Sequence, residues 1–288
     1  MSSRPSAARP VRDVPRAVVQ LGGAIARVRP PWAHAAFLRS DVFAGRGVPH
    51  GNGEPVVLLP AAVAGDWIMP VLSGWLRRIG YRPYPSTISM HIDCSDRTLT
   101  RVLPHLDRIA QAEGRPLMLL GHSRGGLLAR AATVTRPELV SRVVTLASPL
   151  SEPFAVTNLT LNAAASLARR RFERAGLEGC LTTACACPFG SAFNSPWPTG
   201  PDAPRLVSLF TRTDEVVGWH ACLTRDGHNV EVRGTHTGLL AARNAYVALA
   251  SALDGAYDRP GVTWAEPRAV LPKQVRRRRR GPRPAPSQ

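Results

Sequence analysis

Long apolar runs are missing from this chain of 288 residues. None approaches the 18 or so consecutive apolar residues that a membrane-spanning helix needs, so none is expected. A clear secretory leader is missing as well. The most apolar stretch near the start, residues 17–26, is broken or flanked by arginines, prolines and a glutamine. That points to a cytoplasmic protein. Ala24-Ile25-Ala26 has the Ala-x-Ala form of a cleavage site and keeps secretion open. Cysteine is scarce and odd in number, five in all, so at least one is unpaired within the chain. Cys180, Cys185 and Cys187 cluster as C-x₄-C-x-C, which does not match the C-x-x-C spacing of zinc sites, and no metal is expected. A disulfide within this cluster or from it to Cys222 stands beside reduced, buried thiols; Cys94 lies apart. Lysine is almost absent, with Lys273 the single one among 37 basic residues. No internal repeat is visible.

Charge of one sign is plentiful, and it lies at the ends. The formal net charge is +17. Residues 1–50 hold eight arginines against Asp13 and Asp41, a net +6. Residues 266–288 hold seven arginines and Lys273 against Glu266, a net +7. That leaves +4 for residues 51–265, so the excess basicity sits outside the body of the chain. The arginine run at 276–280 leads into a Pro-rich end and reads as a solvated, disordered tail. Its charge supports weak contact with an anionic membrane or with nucleic acid. No specific protein partner is expected.

The body alternates between strand-like and helix-like patterns. Strands are predicted near 55–60, 81–86, 116–121, 141–147, 205–211 and 228–233. Helices are predicted near 66–79, 98–113, 123–134 and 238–253, with Asp66 as the cap of the first. Such alternation predicts an α/β fold, a mostly parallel sheet with helices on both faces. The expected units are a basic Arg/Pro-rich extension over 1–50, a domain over 51–258 and a basic tail over 259–288. Residues 149–204 interrupt the alternation with a helical stretch, the cysteine cluster and Ser195-Pro196-Trp197-Pro198.

Chemistry enters at Gly121-His122-Ser123-Arg124-Gly125, a G-x-S-x-G string. An apolar strand precedes it and a helix-forming run follows. A serine held between strand and helix sits on a tight turn that pushes its hydroxyl outward. Small residues two before and two after are needed because backbone passes too close for a β-carbon. The adjoining helix N-terminus offers N–H groups to a developing oxyanion.

A serine hydroxyl is a poor nucleophile until a histidine takes its proton, and that histidine needs a carboxylate to fix its tautomer. Both are found downstream on loops just past predicted strands, Asp214 in Thr213-Asp214-Glu215 and His236 in Gly234-Thr235-His236-Thr237. Open parallel sheets place their sites at that edge. Rivals exist for each. Glu215 adjoins Asp214, and one of the two is expected to be a solvated loop charge. Of eight histidines, His34, His50 and His91 precede the serine, the wrong order. His105 reads as surface, and His122 as a residue whose backbone matters more than its ring. His228 precedes a strand, and His220 follows Asp214 too closely to come from a separate strand end.

Residues 54–253 resemble a bacterial lipase/esterase-type α/β-hydrolase. The likeness is carried by VVLLPAAVAGDWIMPVLSGWLRRIGYRPYP, GHSRGG, VVTLASPL, TRTDEVV and RGTHTGLL. It implies the α/β-hydrolase fold, a triad of Ser123, Asp214 and His236, no cofactor, and hydrolysis of a small-molecule or lipid ester. It also implies an oxyanion hole built from the backbone N–H groups of Arg124 and Ala62. In the family the loop after the first core strand carries a His-Gly or Pro-Gly pair. Here the pair is Pro60-Ala61, and a positive φ at Ala61 would be strained. Residues 149–204 fall where such hydrolases carry a cap, which makes Phe154 and Phe189 candidate substrate-binding residues, with Trp67 as a third. Acyl transfer, in which an alcohol replaces water, is the alternative within enzymes. A non-catalytic protein of this fold, binding polyanions through its basic tails, is the alternative outside them.

Overall fold

A computed structural model describes residues 31–92, 94–152, 155 and 187–258. Six strands, β1 (Pro55–Leu59), β2 (Arg82–Pro85), β3 (Leu117–His122), β4 (Val140–Leu146), β5 (Arg205–Phe210) and β6 (His228–Glu231), form one sheet. Their order is β2-β1-β3-β4-β5-β6, and every neighbouring pair is parallel. β1 shows why: it reads Pro-Val-Val-Leu-Leu, and every residue is buried. An unbroken apolar run suits a strand that is covered on both faces.

Successive residues of β1 serve opposite cores, as the alternation of side chains along a strand requires. Val56 and Leu58 join Leu72 and Trp75 of helix α2 (Pro70–Arg78) and Tyr246 and Leu249 of helix α6 (Arg243–Leu253). Val57 and Leu59 join the other layer, helices α3 (Ser95–Glu113), α4 (Arg124–Thr135) and α5 (Pro188–Asn194). Helix α3 buries Leu99, Val102, Leu106 and Ile109, the three- and four-residue spacing of one helical stripe, and ends where Gly114 turns left-handed at φ 64°.

Three boundaries differ from expectation. The folded body begins before residue 51. Helix α1 (Pro31–Leu38) and the turn after it bury Phe37 and Val42 in the core. Trp75 donates its indole N–H to the Val42 carbonyl at 2.8 Å. The Phe37 ring meets Tyr246 edge-on at 4.6 Å, and Tyr246 meets Trp75 at the same spacing. A few apolar residues among arginines and glycines show no period, so this piece reads as an extension from sequence alone.

The helix expected over 66–79 is split. Asp66–Ile68 is a single 3-10 turn, and α2 starts at Pro70, whose fixed φ and missing N–H suit a first helical turn. Asp66 does not cap the helix. Its Oδ1 accepts from the backbone N–H and the hydroxyl of Ser86, at 3.1 and 2.7 Å, which ties the loop after β1 to the loop after β2.

The described end of the 149–204 segment belongs to the core. α5 packs on α4, and the buried Arg130 holds it: Nε donates to the Phe193 carbonyl at 2.9 Å and Nη2 to that of Ser195 at 3.0 Å. Arg130 also pairs with Asp226 at 2.6 Å. Phe154, Cys180 and Cys185 lie outside the described residues. Cys222 is buried, with a free thiol among the described residues. Burial, with Asp214 nearby, pushes that thiol's pKa far up.

Candidate active site

Ser123 follows β3 directly and opens α4, with φ 52° and ψ −120°. A side-chain-bearing residue at positive φ is strained and persists only where its surroundings hold it. Here the Ser123 N–H donates to the Leu146 carbonyl of β4 at 2.8 Å. The flanking glycines are required by contact. A β-carbon at Gly121 would strike the backbone of Gly125 and Gly126, and one at Gly125 would strike the Leu59 carbonyl. β1 and β3 are the strands between which the sheet's winding reverses, and the crevice beyond their carboxyl ends is where doubly wound sheets place ligands.

Asp214 and His236 lie past the ends of β5 and β6. His236 donates from Nδ1 to Asp214 Oδ2 at 2.8 Å, with both side chains almost wholly buried. A carboxylate accepts only, so this bond sets the tautomer and leaves Nε2 as the ring's basic nitrogen. The other carboxylate oxygen, Oδ1, accepts the backbone N–H groups of Val216 and Val217 at 2.9 and 2.7 Å, so the aspartate cannot swing.

Two residues expected to be idle touch His236. Glu215 is not a solvated charge. Its Oε2 accepts the His236 backbone N–H at 2.9 Å, and its Oε1 is buried. The ring of His122 is wholly buried, and its Nε2–H donates to the His236 carbonyl at 3.1 Å. Burial, with His236 close by, lowers the His122 pKa to about 3, so the ring is neutral. Of the rival bases, His220 and His228 are exposed, and His105 reaches the Pro85 carbonyl instead.

The loop after β1 carries its positive φ at Val63, at 61°, and not at Ala61. The Val63 N–H donates to the His91 carbonyl at 3.1 Å, and the Ala64 N–H to that of Ala61 at 3.3 Å. Ala62 is exposed, and among the described residues its N–H meets no backbone acceptor. His91 braces this loop: its Nδ1–H donates to the Pro60 carbonyl at 2.9 Å. Arg124 reaches the same segment, donating to the His91 carbonyl at 3.2 Å and to Ser95 Oγ at 2.9 Å. Burial first, then the Arg124 charge, brings the His91 pKa to about 3. No sequence pattern flags His91, because its partner is a carbonyl 31 residues earlier. Adjacency to Asp214 and Ser123 was the only available signal for Glu215 and His122.

The candidate substrate-binding residues separate. Trp67 stands out from the 3-10 turn after β1 with 62% of its surface exposed. Phe189 is buried on α5 in the same core cluster as Leu127 and Leu128, stacked on Phe193 at 6.1 Å. Its described contacts are with core residues. Among the described residues no group of His, Cys, Asp and Glu is arranged to hold a metal, and no helix is long and apolar enough to cross a membrane.

The family model of the PGAP1-like alpha/beta domain matches residues 88–173, the stretch that includes Ser123. No curated protein matches the sequence. Among solved structures, a monoacylglycerol lipase from Paleococcus ferrophilus is 16% identical, with 65% of this chain and 88% of that one covered and a TM-score of 0.43. A lipase of Bacillus licheniformis in mature form is 14% identical, covering 70% and 91%, with a TM-score of 0.47. A carboxylesterase of Bacillus subtilis is 11% identical, covering 78% and 96%, with a TM-score of 0.45. A six-stranded parallel sheet in this order, a serine on a strained turn after the third strand, and an acid and a histidine after the fifth and sixth together identify the chain as a protein of the α/β-hydrolase fold.

Proposed function

We propose that the protein is a serine hydrolase that cleaves carboxylic esters through Ser123, His236 and Asp214. The observation that carries this reading is the buried 2.8 Å hydrogen bond from His236 Nδ1 to Asp214, formed in a chain whose Ser123 occupies a strained strand-to-helix turn. His236 Nε2 takes the Ser123 proton as Oγ attacks the ester carbonyl. Asp214 holds the imidazole and stabilises its cation. The backbone N–H groups of Arg124 and Ala62 bind the oxyanion. The histidine returns its proton to the leaving alcohol, then activates water to release the acid.

Fluorophosphonate labelling tests this directly. The wild-type protein should be labelled at Ser123 and should hydrolyse short p-nitrophenyl esters. Ser123→Ala should take no label and lose turnover by several orders of magnitude with its melting temperature retained. Turnover near wild type in Ser123→Ala would remove the assignment.

A further inference from the structure

Outside the three proposed reacting side chains, the most unusual groups in the described residues are buried polar atoms without partners: Oε1 of Glu215, Nδ1 of His122, Nε2 of His91 and Nε of Arg142. Two of the four belong to side chains that also hold His236. Glu215 Oε2 accepts its backbone N–H at 2.9 Å, and His122 Nε2–H donates to its carbonyl at 3.1 Å. A buried polar atom left unpaired costs stability, and an apolar side chain of similar shape would avoid that cost. Packing alone therefore does not account for either residue.

Their chain positions are informative. Glu215 follows Asp214, and His122 precedes Ser123. The segment carrying the proposed acid and the segment carrying the proposed nucleophile each grip the main chain of the proposed base. The ring is set at Nδ1 by Asp214, while the peptide N–H and C=O of the same residue are set from two other directions.

We propose that Glu215 and His122 are positioning residues that fix where His236 Nε2 stands relative to Ser123. The kinetic consequence rests on the hydrolase reading above; the structural one does not. A misplacement of about 1 Å at a reacting group costs on the order of a hundredfold in rate. Glu215→Ala and His122→Phe should therefore lower kcat by about ten- to a hundredfold with KM nearly unchanged. Glu215→Gln keeps an acceptor, and His122→Gln places an amide N–H near the former Nε2. Both should recover most of kcat.

The experiment measures kcat, KM and melting temperature for these four variants of the full chain. Beside them it follows the downfield proton resonance of His236 Nδ1–H in the protein without substrate. That resonance should be sharp in the wild type, weakened or displaced in Glu215→Ala and restored in Glu215→Gln. Unchanged kcat and an unchanged resonance in Glu215→Ala and His122→Phe would overturn the proposal. So would glutamine variants as slow as their disruptive counterparts, with kcat following melting temperature across all four. A wild-type protein inert to fluorophosphonate would overturn the hydrolase reading alone. The resonance would then decide the positioning role by itself.

Discussion

At the scale of single residues, the histidines divide by environment, and that division can be tested. His236→Ala should be as slow as Ser123→Ala, and the double variant hardly slower, because such groups act as a unit. His220→Ala and His228→Ala remove exposed rings and should keep most activity on a soluble ester. Loss of turnover in His228→Ala would reassign the base. His91 and His122 should instead be visible in stability. Each has an ordinary pKa of 6.5 that the fold lowers to about 3. Between those values the unfolded chain binds more protons than the folded one. Stability is therefore complete above about pH 6.5 and falls as the pH drops toward 3. Melting temperature should fall between pH 7 and pH 5. His91→Asn, which retains a donor near Nδ1, should flatten that slope; an unchanged slope would show that His91 does not contribute. Chain order after the G-x-S-x-G string picked out Asp214 and His236, whose side chains bond to each other. It missed the contacts of Glu215, His122 and His91, whose partners are backbone atoms of distant residues and leave no mark in residue type.

At the scale of elements, the strands and the helices of the body were legible to within a few residues. Apolar runs and helical stripes are local patterns, and here the tertiary structure agrees with them. Two segments are shaped by contacts that are not local. Residues 66–79 carry one helical pattern, yet Pro70 starts a new helix and Asp66 turns to Ser86. Phe189 lies in a segment expected to cover the site, yet it packs against α4 with Arg130 gripping the chain beyond it. Phe189→Ala should accordingly lower stability by about 3–5 kcal/mol, the usual result of emptying a core aromatic site. It should leave the preferred acyl length unchanged. Intact melting with a shifted chain-length profile would return Phe189 to the substrate pocket.

At the scale of the whole molecule, the two basic ends should behave differently. Deleting residues 1–50 removes Phe37 and Val42 from the core and takes the Val42 carbonyl from Trp75, so the remainder should be unstable or insoluble. Deleting residues 266–288, which lie outside the described residues and carry +7, should leave hydrolysis of a soluble ester nearly unchanged. It should weaken adsorption to vesicles containing anionic lipid, by about 1 kcal/mol for each basic residue at the surface and less at higher salt. Loss of esterase activity in that truncation would make the tail part of the enzyme. The edge-on stack of Phe37 on Tyr246 has one more consequence, in the order of events during synthesis. The first described helix has an aromatic partner on the last, so during synthesis this one contact has to wait until almost the whole folded chain is made, while Trp75 is available to the same segment early. The core on that face is complete only when α6 emerges, so chain termination before residue 243 leaves the Phe37 face half covered.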